Sequence, residues 1–183
     1  DDYVLVILQS GQFYTTNFDL NNHYEPTGIL RVEKFDEHKV WTAVLFDADQ
    51  QNFPYVKRFT LERCTQARPQ SFLGDNASSR FVLLTDQVYP RLLVTYGGGD
   101  AFRDPMELDV EPFIGVKSYK AKGKRITTCT VDKIEELEPL RFPEPTEAEA
   151  DAATGADDDA GDTTATSDTP DDATPSLFDE LPD

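Results

Sequence analysis

Tyr3-Val4-Leu5-Val6-Ile7-Leu8, then Ser10-Gly11, then Phe13-Tyr14-Thr15-Thr16-Asn17-Phe18: this opening stretch decides the fold class. The first run is apolar and β-branched, long enough for a buried strand and too short for a helix. Ser10-Gly11 punctuates it, and strand-forming residues resume at once, so the pair reads as a β-hairpin turning at glycine. Working outward, the pattern recurs. Ile29 to Phe35 alternates as a half-exposed strand should. Val40 to Phe46 is an apolar strand closed by Asp47-Ala48-Asp49. Tyr55–Leu61, Phe81–Leu84 and Arg91–Tyr96 follow, the last stopped by Gly97-Gly98-Gly99. Met106–Val116 and Arg125–Val131 complete the predicted strands. Helical periodicity is confined to a short stretch at Lys133–Leu137, so the body is predicted to be all-β.

An internal echo suggests how the strands are grouped. Leu30-Arg31-Val32-Glu33-Lys34-Phe35 matches Leu108-Asp109-Val110-Glu111-Pro112-Phe113 at four of six positions, 78 residues apart. Repeats of roughly 40–50 residues made of short strands mark propeller-like blades, and 78 would be about two of them. Some three blades fit into the body, too few for a full ring. The first residue is not Met, and a fragment of a longer domain is expected.

The formal net charge is -18, but its distribution is uneven. Residues 1–134 hold 18 acidic and 16 basic residues, whereas Glu135–Asp183 hold 17 acidic residues and one basic residue, Arg141. Glu144 to Pro175 contains no aromatic residue and cannot bury enough surface to offset chain entropy. A domain over residues 1–140 followed by a disordered acidic tail over 141–183 is therefore expected. The tail regains a small apolar cluster at Pro175–Leu181, a form that docking peptides take.

Candidate chemistry is binding chemistry. Lys117-Ser118-Tyr119-Lys120-Ala121-Lys122-Gly123-Lys124-Arg125 places five cations around a glycine in a loop between strands. Such a loop can neutralise backbone phosphates while its glycine permits close approach; the plain alternative is a solvated, charged hairpin. Lys57-Arg58 is a second pair, inside an aromatic strand. Alternation puts its two charges on opposite faces, and a solvated edge is the simpler reading there. Asp47 and Asp49 read as turn residues rather than a cation site. His23 and His38 lack partners in sequence, and Tyr3, Tyr14, Tyr24, Phe13 and Trp41 read as packing residues. Cys64 and Cys129 lie in no metal-ligand spacing and read as free thiols of a reducing cytoplasm. With no nucleophile elbow, phosphate loop or dinucleotide fingerprint, no catalytic residue, metal or cofactor is expected in this chain.

Several stretches resemble a known family: VLVILQSGQFYTTNF (4–18), NNHYEPTGILRVEKF (21–35), VWTAVLFDADQ (40–50), YVKRFTLE (55–62) and FIGVKSYKAKGKRITTCTVDKIEELEP (113–139). They are similar to the C-terminal domain of bacterial topoisomerase IV A subunits, most closely those of Bacteroidetes-type bacteria. The resemblance implies a β-pinwheel, a ring of four-stranded blades exchanging strands, whose basic rim binds and bends duplex DNA. It supports Lys117, Lys120, Lys122, Lys124 and Arg125 as rim contacts, and Lys57 and Arg58 less firmly. Gyrase A subunits carry a QRRGGKG box for wrapping DNA, to which Lys120–Arg125 is a degenerate relative. Binding and bending in support of decatenation and relaxation are implied, without chiral wrapping. The family's catalytic tyrosine lies in a separate breakage-reunion core, so this portion is non-catalytic and its parent is an ATP-dependent type IIA topoisomerase. That core would join two A and two B subunits (A2B2) in the cytoplasm, associated with the nucleoid and not with a membrane. For the tail, two roles compete: an internal rival for the basic rim, or a sliding-clamp contact through Leu177 and Phe178. A protein-interaction module using Phe13, Tyr14, Trp41 and Tyr55 as a partner surface is the alternative for the body.

Overall fold

The computed structural model describes residues 2–19, 21–24 and 27–145. Its compact unit runs from Asp1 to Pro143, and a second unit, Glu144–Asp183, is described at residues 144 and 145. Along the chain come β1 (Tyr3–Leu8), β2 (Gln12–Asn17), β3 (Ile29–Lys34), β4 (Trp41–Asp47) and β5 (Phe53–Thr60). Then follow β6 (Gln70–Ser71), β7 (Arg80–Thr85), β8 (Arg91–Tyr96), β9 (Met106–Asp109) and the helical turn α1 (Val110–Phe113). The last are β10 (Lys117–Ser118), β11 (Lys124–Arg125) and β12 (Val131–Leu137). The unit is all-β, with two short 3₁₀ turns at Ala48–Gln50 and Gly98–Asp100.

Three sheets share one plan. Sheet A has the order β3-β1-β2-β6, sheet B is β7-β4-β5 with β10 and β11 both beside β5, and sheet C is β12-β8-β9. Each is founded on an antiparallel hairpin: β1–β2, β4–β5 and β8–β9. In each, a later strand returns antiparallel to the hairpin's first strand: β3, β7 or β12. Those returning strands begin at residues 29, 80 and 131, 51 residues apart each time. The Leu30/Leu108 echo does not follow this repeat, because it pairs a returning strand, β3, with the second strand of a hairpin, β9.

Neighbouring sheets exchange strands. β6 lies between β5 and β7 in sequence but pairs with β2 of sheet A. Likewise β10 and β11 lie between β9 and β12 but pair with β5 of sheet B. The exchanged segments are bound by more than these short ladders. Thr15 N–H donates to the Cys64 carbonyl at 2.7 Å, and Cys64 N–H donates to Thr15 Oγ1 at 3.2 Å. Phe72 N–H donates to Gly11 O at 3.1 Å. Gly11 (φ +81°) turns the β1–β2 hairpin, where a Cβ would meet Leu73 Cγ at 2.4 Å.

Exchange gives sheet B two buried faces. One faces a core of Leu5, Ile7, Phe13, Trp41, Ala43, Phe59, Leu61, Phe72 and Tyr119, shared with sheet A. Val44 and Val56 face a second core with Leu92, Val94, Val110, Ile114 and Ile134 from the sheet C side. Fully burying one such aliphatic or aromatic side chain stabilises by roughly 1.5–3 kcal/mol, so these two cores hold the sheets together.

Three predicted elements differ from the structure. The strand expected over Arg125–Val131 is present only at its ends, as the last residue of β11 and the first of β12, with no strand over 126–130. The strand expected over Met106–Val116 stops at Asp109, and α1 follows because Val110 turns into the second core with Ile114 N–H bonded to Val110 O at 3.0 Å. Lys133–Leu137, expected to be helical, belongs to β12. The bulge between Val131 and Lys133 puts Val131 and Ile134 on one face, opposite Tyr96 and Val94, while Leu137, opposite Arg91, falls on the other face. The three-residue spacing of these apolar residues is what mimics a helical stripe.

Candidate nucleic-acid interface

The basic loop forms the outer edge of sheet B. β10 runs parallel to β5, aligning Lys117 with Phe59, and β11 returns antiparallel, aligning Lys124 with Val56 and Arg125 with Tyr55. Between them a tight turn closes, with Ala121 N–H donating to Ser118 O at 3.0 Å and Lys120 N–H to Ser118 Oγ at 3.2 Å. The anchor is Tyr119, 3 % exposed, whose ring meets Phe13 edge-on at 5.1 Å inside the core shared with sheet A. Gly123 (φ +85°) lets the return limb pass over β5: a Cβ there would stand 2.5 Å from the Val56 carbonyl oxygen. Tyr119 therefore points in while Lys117, Lys120, Lys122, Lys124 and Arg125 are all exposed.

What sets these five apart is that they stand together on one edge without a counter-charge. Arg63, Arg68 and Arg80 are also exposed and in no ion pair among the described residues, but stand apart from one another in the sequence. Arg31, Lys34, Lys39, Arg91, Arg103, Lys133 and Arg141 each pair with a carboxylate. Among the described residues, none of the five edge cations does. Lys124 instead lies 4.1 Å from the Phe113 ring centroid and donates to Phe113 O at 3.1 Å, while Arg125 lies 5.2 Å from the Phe53 ring. Charge held this way is fixed in place without being neutralised. A body with almost balanced charge can thus carry a local cationic edge, because none of its acids lies within ion-pair distance of these five among the described residues.

Lys57 and Arg58 do not join that edge. Lys57 is 4 % exposed and Arg58 is 9 % exposed, so neither can reach a phosphate. Alternation does send them to opposite faces, but both faces of β5 are covered. Lys57 Nζ donates to the carbonyls of Phe72 and Tyr119, and burial lowers its pKa to about 8. Arg58 Nη1 donates to Ile114 O at 3.3 Å on the sheet C side, and its Nε has no partner among the described residues. The sequence reads the pair as a solvated edge; strand exchange is what buries it.

The alternative partner surface is corrected too. Phe13 and Trp41 are fully buried, and Tyr14 and Tyr55 are 7 % and 8 % exposed, so these four are core. Asp47 is a buried turn residue whose Oδ1 accepts from Asp49 N–H at 2.9 Å. His38 is exposed beside Glu37. Cys64 and Cys129 are free thiols, and burial pushes the Cys64 thiol pKa up. Leu177 and Phe178 lie outside the described residues. Among the described residues no helix is long and apolar enough to cross a membrane.

Residues 1–138 match the family model described as topoisomerase C-terminal domain, Bacteroidota. The chain belongs to this family. That match spans all three sheets of the topoisomerase C-terminal domain, including both exchanged segments and the basic edge. Comparison with curated proteins and with solved structures finds no match.

Proposed function

We propose that this topoisomerase C-terminal domain binds and bends duplex DNA, through the Lys117–Arg125 edge of sheet B, for a topoisomerase IV-like type IIA enzyme. It would aid decatenation and relaxation beside a cleavage core of A and B subunits. One observation carries the reading: five exposed cations, anchored by a buried tyrosine and a required glycine, with no carboxylate neutralising them among the described residues. Lysines and arginines so placed release counterions when they meet phosphates, and they fix register without reading bases. The domain is accordingly a positioning surface rather than a sequence reader.

Fluorescence anisotropy with a duplex of about 40 bp tests this. If all five cations meet phosphates, the logarithm of affinity falls against the logarithm of salt with a slope of about -4 to -5. No binding at low salt would overturn the reading. A chain ending at Leu140 adds a second comparison. Residues 141–183 carry 14 acidic residues and one basic residue, tethered to the domain at high effective concentration. As an internal competitor for the same cations, that segment makes the full chain the weaker binder at low salt; equal affinities would remove the role.

A further inference from the structure

Lys57 is the buried group that the DNA-binding edge does not use, and its surroundings give it a different task. Its ammonium meets two backbone carbonyls, Phe72 O and Tyr119 O. Both follow directly on exchanged strands: Phe72 comes after β6 (Gln70–Ser71) and Tyr119 after β10 (Lys117–Ser118). The two segments even share a pattern, Ser71-Phe72 and Ser118-Tyr119, with each aromatic ring buried in the core between sheets A and B. Ladders of two residues end there, so those carbonyls have no further strand to accept from. A buried carbonyl left without a donor is costly, and an apolar residue at position 57 would leave two.

The same lysine also lies under the turn of the basic loop. Gly123 crosses so close that a Cβ would come within 2.6 Å of Lys57 Cγ. Lys57 Nζ is 5.8 Å from the Phe59 ring, with Phe72 stacked on Phe59 at 5.4 Å. No carboxylate lies within ion-pair distance of it among the described residues. Its partners are the two exchanged segments, one from each side of the sheet A–sheet B junction.

We infer that Lys57 is a positioning residue for the DNA contact: it fixes the Lys117–Arg125 loop through Tyr119 O and couples that loop to the segment of sheet A through Phe72 O. The inference rests on the DNA-binding reading, and it separates two properties that a phosphate-contacting lysine joins. Lys57 sets the shape of the contact and contributes no charge to it. Removing it therefore weakens binding without changing the number of counterions released, whereas removing an edge lysine changes that number.

The test uses the full chain and three variants, read by amide hydrogen exchange and by anisotropy over a range of salt. Lys57→Met is expected to raise exchange in residues 117–125 about tenfold or more. Its DNA affinity should fall about tenfold with the salt slope unchanged. Lys122→Gln is expected to lower the slope by about 0.9, with wild-type exchange in the loop. Wild-type exchange and wild-type affinity in Lys57→Met would overturn the inference, as would a slope reduced like that of Lys122→Gln. A third variant, Gly123→Ala, leaves Lys57 in place and forces the loop off Val56, keeping the test decisive should Lys57→Met fail to fold. Lys57 should then react with an amine-labelling reagent at least tenfold faster than in the wild type, as read by mass spectrometry. Equal labelling would mean that the loop does not cover Lys57, and the inference would fall. The exchange and labelling arms need no DNA, so a wild type that binds no duplex would sink the DNA reading by itself.

Discussion

Two groups of cations in this domain are built on opposite principles. Around Trp41, Arg31 and Lys39 stand 5.2 and 4.5 Å from the indole ring and share the carboxylates of Glu33 and Asp86. That network joins strand β3 of sheet A to the end of β7 in sheet B, and its charges cancel where they sit. At the other edge of sheet B, Lys117–Arg125 presents five cations with no acid to meet them among the described residues. The first group is structural and the second is available to a partner. The difference shows why net charge, balanced over residues 1–134, says little about what this surface binds.

The contrast can be broken from the structural side first. Trp41→Ala removes a fully buried indole and the platform under both cations, and should destabilise by about 3–5 kcal/mol, read by urea unfolding. A loss below 1 kcal/mol would show that the network does not depend on the ring. Next in size is the pH dependence owed to Lys57. Its folded pKa of about 8 lies below the ordinary 10.5, so the unfolded chain binds the extra proton between these values. The group's stabilising contribution is therefore full above pH 10.5 and is lost as pH falls through 8. Unfolding of the wild type relative to Lys57→Met should become harder by about 2–3 kcal/mol between pH 7 and 10. A flat difference would mean that the amine is not desolvated. The smallest effect sharpens the comparison most. Asp86→Asn takes one acid from Arg31 and Lys39 and should cost about 1 kcal/mol of stability, less at high salt, with no loss of DNA affinity.

Much of this architecture is legible in the residues. Tyr3–Leu8 and its partner across Gly11 form the expected hairpin, and the basic run from Lys117 emerges as an exposed edge. What the residues conceal is exchange between sheets. Gln70-Ser71 and Lys117-Ser118 are strands two residues long, too short for any period to appear, and their partners lie 57 to 59 residues away. With them go the roles of Lys57 and Arg58. In Tyr55-Val56-Lys57-Arg58-Phe59 the charges suggest a wet face, and only the covering segments make both faces dry. Tyr119, flanked by Ser118 and Lys120, gives no sign in sequence of being a core residue. Ser-aromatic pairs after short polar runs, at Ser71-Phe72 and Ser118-Tyr119, are the one local signal that could have located both anchors.

The central claim is that DNA is held by the unpaired edge and not by the domain's cations in general. Its most direct test is the salt dependence of duplex affinity for three full-length chains: the wild type, Lys117→Gln/Lys120→Gln/Lys122→Gln, and Lys39→Gln. Removing three edge lysines should make the slope shallower by about 2.7, while Lys39→Gln should leave it as in the wild type. Equal slopes in the wild type and the triple variant, or a slope reduced as much by Lys39→Gln, would contradict the account.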